Sequence, residues 1–174
     1  MFQTWCRDTL VPLVLRVGLA AIFLFHGANK ITGRGRQWGA NWHYTGPPRM
    51  VPGPRGAPRT VAADALPAPV QLAVAWGEFV GGLALLLGFL TRVAAAGLAV
   101  IMIGAIVTVT GENGFPLLDE AGKWNGGFEY NFAVLVLCAA AVLAGGGRLA
   151  VDRVLFGRRP PAVTAAPRLE VFGG

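Results

Sequence analysis

Glu78 is the only carboxylate in the apolar run from Val70 to Leu90, and an acid in such a place needs a partner or a proton. It lies about 12 Å along a helix formed by that run. At that depth an isolated carboxylate costs on the order of several kcal/mol, so it must face other helices. Arg16 is the matching cation, set inside an earlier apolar block from Leu10 to about Ala28. In an antiparallel helix pair the two differ in depth by roughly 9 Å, within reach of an arginine side chain plus some tilt. The sequence therefore pairs Arg16 with Glu78, either as an ion pair that sets register or as an inner site handling protons or a quinone.

A second group gathers at one mouth. The first apolar block ends in His26, Asn29 and Lys30, and the last one opens with Glu129, Tyr130 and Asn131. A quinone ring needs an apolar slot, one or two donors to its carbonyl oxygens and a group that passes a proton. Glu78, Arg16 and Glu129 are the candidate catalytic groups, and His26, Lys30, Tyr130 and Asn131 the candidates for holding the ring. The plainer alternative is a set of boundary residues that snorkel or cap helices.

Four apolar blocks must position these groups, at about 10–29, 69–90, 93–110 and 128–145. On a helix Arg16, Phe23, Gly27 and Lys30 fall near one face. Gly77 and Gly81 have the small-xxx-small spacing that admits a close neighbour. Thr91 and Arg92 leave almost no connection, so the second and third blocks form a hairpin. The third block is uncharged and reads as a packing helix. Loop 31–67 is rich in Gly, Pro and Arg; its Trp38, Trp42 and Tyr44 suit headgroup level, and Pro47 to Pro58 reads as irregular. A second polar loop spans 111–127, and Gly145 to Gly147 stop the fourth helix. The chain then begins an interfacial helix through Phe156 and ends in a flexible tail, 157–174. The expected fold is an all-α integral membrane four-helix bundle over 1–156, up-down, with both termini on the same side.

The composition agrees with a bilayer as solvent. Of 174 residues 54% are hydrophobic and 14% charged, where a soluble domain carries about a quarter charged; mean hydropathy is +0.54. The net charge of +6 is spread over loops and tail, which suits topology and anionic lipid rather than nucleic acid. Outside the blocks seven Lys and Arg fall on each side, so counting them does not orient the chain; Arg92 and Arg148 at block ends favour cytoplasmic termini. Cys6 and Cys138 have neither dithiol nor metal-ligand spacing. His26 and His43 are the only histidines and His43 lies in the Gly/Pro-rich loop, so haem is not expected. No phosphate-binding or catalytic motif of soluble enzymes is present, and no metal or nucleotide is expected.

Four stretches, taken in order, are similar to a known family. They are RVGLAAIFLFHGANK at Arg16 to Lys30, GEFVGGLALLLGFLTR at Gly77 to Arg92, GFEYN at Gly127 to Asn131 and GGGRLAVD at Gly145 to Asp152. Together they resemble the DoxX family of small four-span membrane proteins, which takes in the DoxD-type subunit of thiosulfate:quinone oxidoreductase. The resemblance implies a membrane subunit of a quinone-linked oxidoreductase, in the inner or plasma membrane, passing electrons from a small reductant such as thiosulfate to the quinone pool. The alternative is a non-catalytic scaffold that anchors a soluble redox or stress-response enzyme through the Pro/Arg-rich loop and tail. The expected partners are the lipid bilayer, a soluble redox protein and further copies of the chain.

Overall fold

The computed structural model describes residues 2–34, 50–52, 58–60 and 66–156. Helix α1 (Phe2–Trp5) runs through a π-helical turn, Cys6–Leu10, into α2 (Val11–Ile31), giving one apolar helical stretch of 29 residues from Gln3 to Ile31. Residues Phe2 to Thr9 are thus helical too, ahead of the block that the sequence places at about 10–29. The π turn has a local cause. Pro12 has no N–H to give the carbonyl of Asp8 and its ring crowds that carbonyl, so Asp8 instead accepts the N–H of Arg148 at 3.0 Å.

Helix α3 (Ala68–Leu87) starts behind Pro67 with a further proline in its first turn and stops at Gly88, whose φ of 70° is the left-handed conformation of a C-terminal cap. Helix α4 (Thr91–Ala105) continues through a π-helical turn, Ile106–Thr110, and a short 3-10 turn to Asn113, 23 residues in all. Helix α5 (Glu129–Ala144) has 16 residues and ends at Gly145, and α6 (Val151–Phe156) follows, as expected for the start of the tail. The first three long stretches have the length and apolarity to cross a membrane, and α5 is a shorter apolar helix.

Among the described residues the regular elements are helices, joined by turns, except in the first loop. There β1 (Met50–Pro52) pairs antiparallel with β2 (Pro58–Thr60), Val51 opposite Arg59, which corrects the irregular reading of Pro47 to Pro58 at Met50 to Pro52 and at Pro58; the rest of that stretch lies outside the described residues. Trp38, Trp42, His43 and Tyr44 lie outside the described residues, as does the tail 157–174.

Leu19, Phe23, Leu85, Leu98, Val134 and Cys138 form the shared core of α2 to α5. The outward faces are equally apolar: Val14, Val80, Val100, Val107 and Leu143 are all exposed, as side chains that meet lipid should be. Gly77 and Gly81 face Ile101 and Leu98 of α4, so the small-residue stripe receives the third block, as its spacing predicts. Gly82 lies on the neighbouring face, against α2.

Candidate functional site

Close packing of α2 on α3 sets the site. A Cβ on Gly27 would lie 2.5 Å from the backbone nitrogen of Phe79, and one on Gly82 would lie 3.0 Å from that of Leu24. Gly27 opposite Phe79 and Leu24 opposite Gly82 means that the helices run in opposite directions. That register places Glu78 level with the end of α2. Lys30 Nζ donates to Glu78 Oε1 at 2.5 Å, with the Glu78 side chain 2% exposed and that of Lys30 10%. The second oxygen, Glu78 Oε2, is buried and has no hydrogen-bond partner among the described residues. A buried ion pair is favourable only when its remaining lone pairs are also met. This one leaves an acceptor open.

His26 sits one helical turn before Lys30, on the side of α2 toward α5. Its Nε2 lies 3.4 Å from the hydroxyl of Tyr130, and the ring of Phe25 meets its own edge-on at 5.6 Å. His26 is half-buried and Tyr130 is exposed, so the pair forms a polar step from the buried carboxylate towards the surface.

Arg16 is not part of this site. It is buried at the opposite end of α2, 14 residues or about 21 Å from Lys30. Its guanidinium donates to four backbone carbonyls: Leu85 at 2.8 Å, Leu86 at 3.0 Å, Gly146 at 2.7 Å and Leu149 at 3.2 Å. The first two belong to the last turn of α3, whose carbonyls have no helical partner and carry the negative end of the helix dipole. The expected Arg16–Glu78 pair is therefore corrected. Depths counted from assumed span starts placed Lys30 at the rim, whereas the close Gly27–Phe79 contact brings Lys30, not Arg16, level with the acid.

The remaining mouth residues divide. Glu129 is exposed and Oε2 accepts the N–H of Leu117 at 3.3 Å, so it braces the 114–128 loop rather than joining Glu78. Asn131 is half-buried and makes no side-chain hydrogen bond among the described residues. The loop itself is held by Asn113, which donates to the Gly126 carbonyl, and by Asn125, which donates to those of Asn113 and Pro116. Neither asparagine was singled out in the sequence; their Gly-rich surroundings were the available signal.

Asp152 is the other residue that sequence reasoning passed over. Its carboxylate accepts the N–H groups of Leu90 at 2.5 Å and Thr91 at 2.9 Å, capping α4 from across the fold. Its own N–H donates to Gly88 at 2.9 Å. Burial pushes this carboxyl up, but the hydrogen bonds from Thr91 and Leu90 and the nearby Arg16 charge outweigh it and hold it below its ordinary value. The signal was present in GGGRLAVD: an acid just past a glycine turn, next to a hairpin whose helix has no cap of its own.

No curated protein and no solved structure matches the chain. The family model DoxX matches residues 11–111, from the start of α2 through the end of the π turn after α4. That covers more than half of the 174 residues and contains Arg16, His26, Lys30 and Glu78 together with both helices that pair them. The protein is a multi-pass membrane protein by its helices, and it belongs to the DoxX family.

Proposed function

We propose that this chain is the membrane subunit of a quinone-linked oxidoreductase whose site is the Lys30–Glu78 end of the α2–α3 pair. In this reading α2 to α5 form an up-down bundle in the cell membrane with both termini cytoplasmic. The observation that carries it is Glu78 Oε2, a buried acceptor without a donor beside a lysine and one turn from His26–Tyr130. A quinol hydroxyl would supply the donor that this oxygen lacks among the described residues, which supports a quinone at this end.

A bound quinone would supply an acceptor for two electrons and two protons at its carbonyl oxygens. Glu78 holds or releases a proton at Oε2, close to where such an oxygen would lie. Lys30 keeps the carboxylate oriented and offsets its charge when the proton is away. His26 and Tyr130 give that proton a route to the surface. Two thiosulfate ions that join through a new S–S bond release two electrons, which balances one reduction. Arg16 and Glu129, candidates in the sequence, remain outside this assignment because both are committed to backbone groups. The scaffold alternative rests on the first loop and the tail, most of which lie outside the described residues.

The test is reduction of a soluble quinone analogue by the protein in mild detergent, with thiosulfate as donor. Wild-type turnover that vanishes in a Glu78→Gln variant with a cooperative melt supports the reading. Equal turnover in both sinks it.

A further inference from the structure

At the end opposite Lys30–Glu78, the start of α2, the end of α5 and helix α6 enclose an open cavity of about 630 Å³. Three guanidinium side chains line it: Arg7 ahead of α2, Arg148 in the turn after α5, and Arg153 on α6. Two carboxylates share the lining, and both are engaged. Asp8 pairs with Arg7 at 3.3 Å, and Asp152 holds the N–H groups of Leu90 and Thr91. Arg148 and Arg153 therefore have no ion-pair partner among the described residues.

The cavity is built into the fold. The N–H of Arg148 is tied to the Asp8 carbonyl, and Gly147 packs so close that a Cβ would lie 2.7 Å from Pro12. The arginines of the turn and of the chain start are thus held at a set spacing. The lip is apolar and open, with Val11 51%, Leu143 80% and Phe156 63% exposed, and it lies at the ends of membrane helices. A free anion would satisfy the arginines but leave this lip uncovered; an anion carried on acyl chains satisfies both.

We propose that this cavity binds the phosphodiester headgroup of an anionic membrane phospholipid, with its acyl chains against Val11, Leu143 and Phe156. The site is independent of the quinone reading and stands or falls separately from it. The experiment uses the full chain in nanodiscs of phosphatidylcholine containing phosphatidylglycerol, with native mass spectrometry counting the lipid retained after release into detergent. Wild type retains phosphatidylglycerol in preference to phosphatidylcholine. Arg153→Gln, at an exposed side chain without hydrogen bonds among the described residues, lowers that retention about fivefold, and Arg148→Gln with Arg153→Gln lowers it by more than about tenfold. Both variants keep the wild-type melt, while Arg34→Gln at the other end changes nothing. Equal retention in wild type and the double variant overturns the proposal. So does equal retention of phosphatidylcholine, or full displacement of the lipid by millimolar inorganic phosphate, which would make the site one for a free anion.

Discussion

Helix α2 buries a cation at each end, Arg16 near its start and Lys30 near its finish, and the two are used in opposite ways. Arg16 spends its donors on four carbonyls that belong to the backbone of α3 and of the turn after α5. Four of its five N–H groups are matched, and the acceptors cannot be exchanged, because no mutation removes a backbone carbonyl. Lys30 meets a side chain, and that side chain keeps one oxygen unmatched. A clamp onto backbone carbonyls can only hold, whereas a side-chain pair with an open oxygen can also accept a donor and move a proton. The difference between them places stability at the Arg16 end and candidate chemistry at the Glu78 end.

The largest effect is expected at the clamp. Arg16→Gln removes a buried cation's bonds to four carbonyls, three of them part-buried, and should cost about 3–5 kcal/mol, read as a collapse of the detergent melt or loss of accumulation; a melt like wild type would erase the contrast. Lys30→Met comes next, at about 3 kcal/mol, because it leaves Glu78 buried without its cation. The sharper form is the double variant Lys30→Met with Glu78→Leu. It should recover most of that stability, since apolar replacements for a buried pair are close to neutral, yet show no quinone reduction. A double variant that stays as unstable as the single would mean that the pair does more structural work than the clamp.

Gly27→Ala probes the register between the ends. Its methyl meets the Phe79 backbone, so about 1–3 kcal/mol should be lost, together with quinone turnover as Lys30 and Glu78 are forced apart. Asp152→Asn should cost about 1 kcal/mol as a weakened cap. Its pH dependence has a definite sign. The folded carboxyl titrates below its unfolded value of about 3.9, so its contribution is complete above that value and is lost as pH falls through the folded one. Melts of wild type and Asp152→Asn should therefore draw together as pH falls below about 4; curves that draw apart there would contradict the cap. Tyr130→Phe is the smallest change, under about 0.5 kcal/mol for a 3.4 Å contact at an exposed ring. It should slow quinone turnover while leaving the melt untouched.

Much of the frame was legible because lipid imposes simple demands on sequence. Apolar blocks of helix-spanning length, the glycine stop at Gly145, and the shared face of Arg16, Phe23, Gly27 and Lys30 all follow from period and composition, and these four residues are indeed buried together on one face, whereas α3 stops at Gly88, short of the Leu90 that ends the apolar block. Gly77 and Gly81 likewise read correctly as a packing stripe. The site was legible in its parts and not in its pairing. Glu78, Lys30, His26 and Tyr130 were each identifiable as charge or polarity in an apolar setting, but Glu78 was given to Arg16. Periodicity assigns a residue to a face and says nothing about the sliding of one helix along another.

By itself, then, the sequence determined a helical membrane protein resembling the DoxX family, with the acid Glu78 and the cation Arg16 forced inward and Lys30 at a mouth, since burial of charge in an apolar helix is a local matter. Which cation meets the acid was decided only in the tertiary structure. Contact of Gly27 with Phe79 and of Gly82 with Leu24 sets the axial offset of the two helices to within a turn, and that offset brings Lys30 rather than Arg16 to the acid. The same holds for Asp152, whose role as a cap for α4 depends on a turn that returns across the fold. Such contacts join residues 48 to 62 positions apart, and pairing at that range is settled by packing rather than by local pattern.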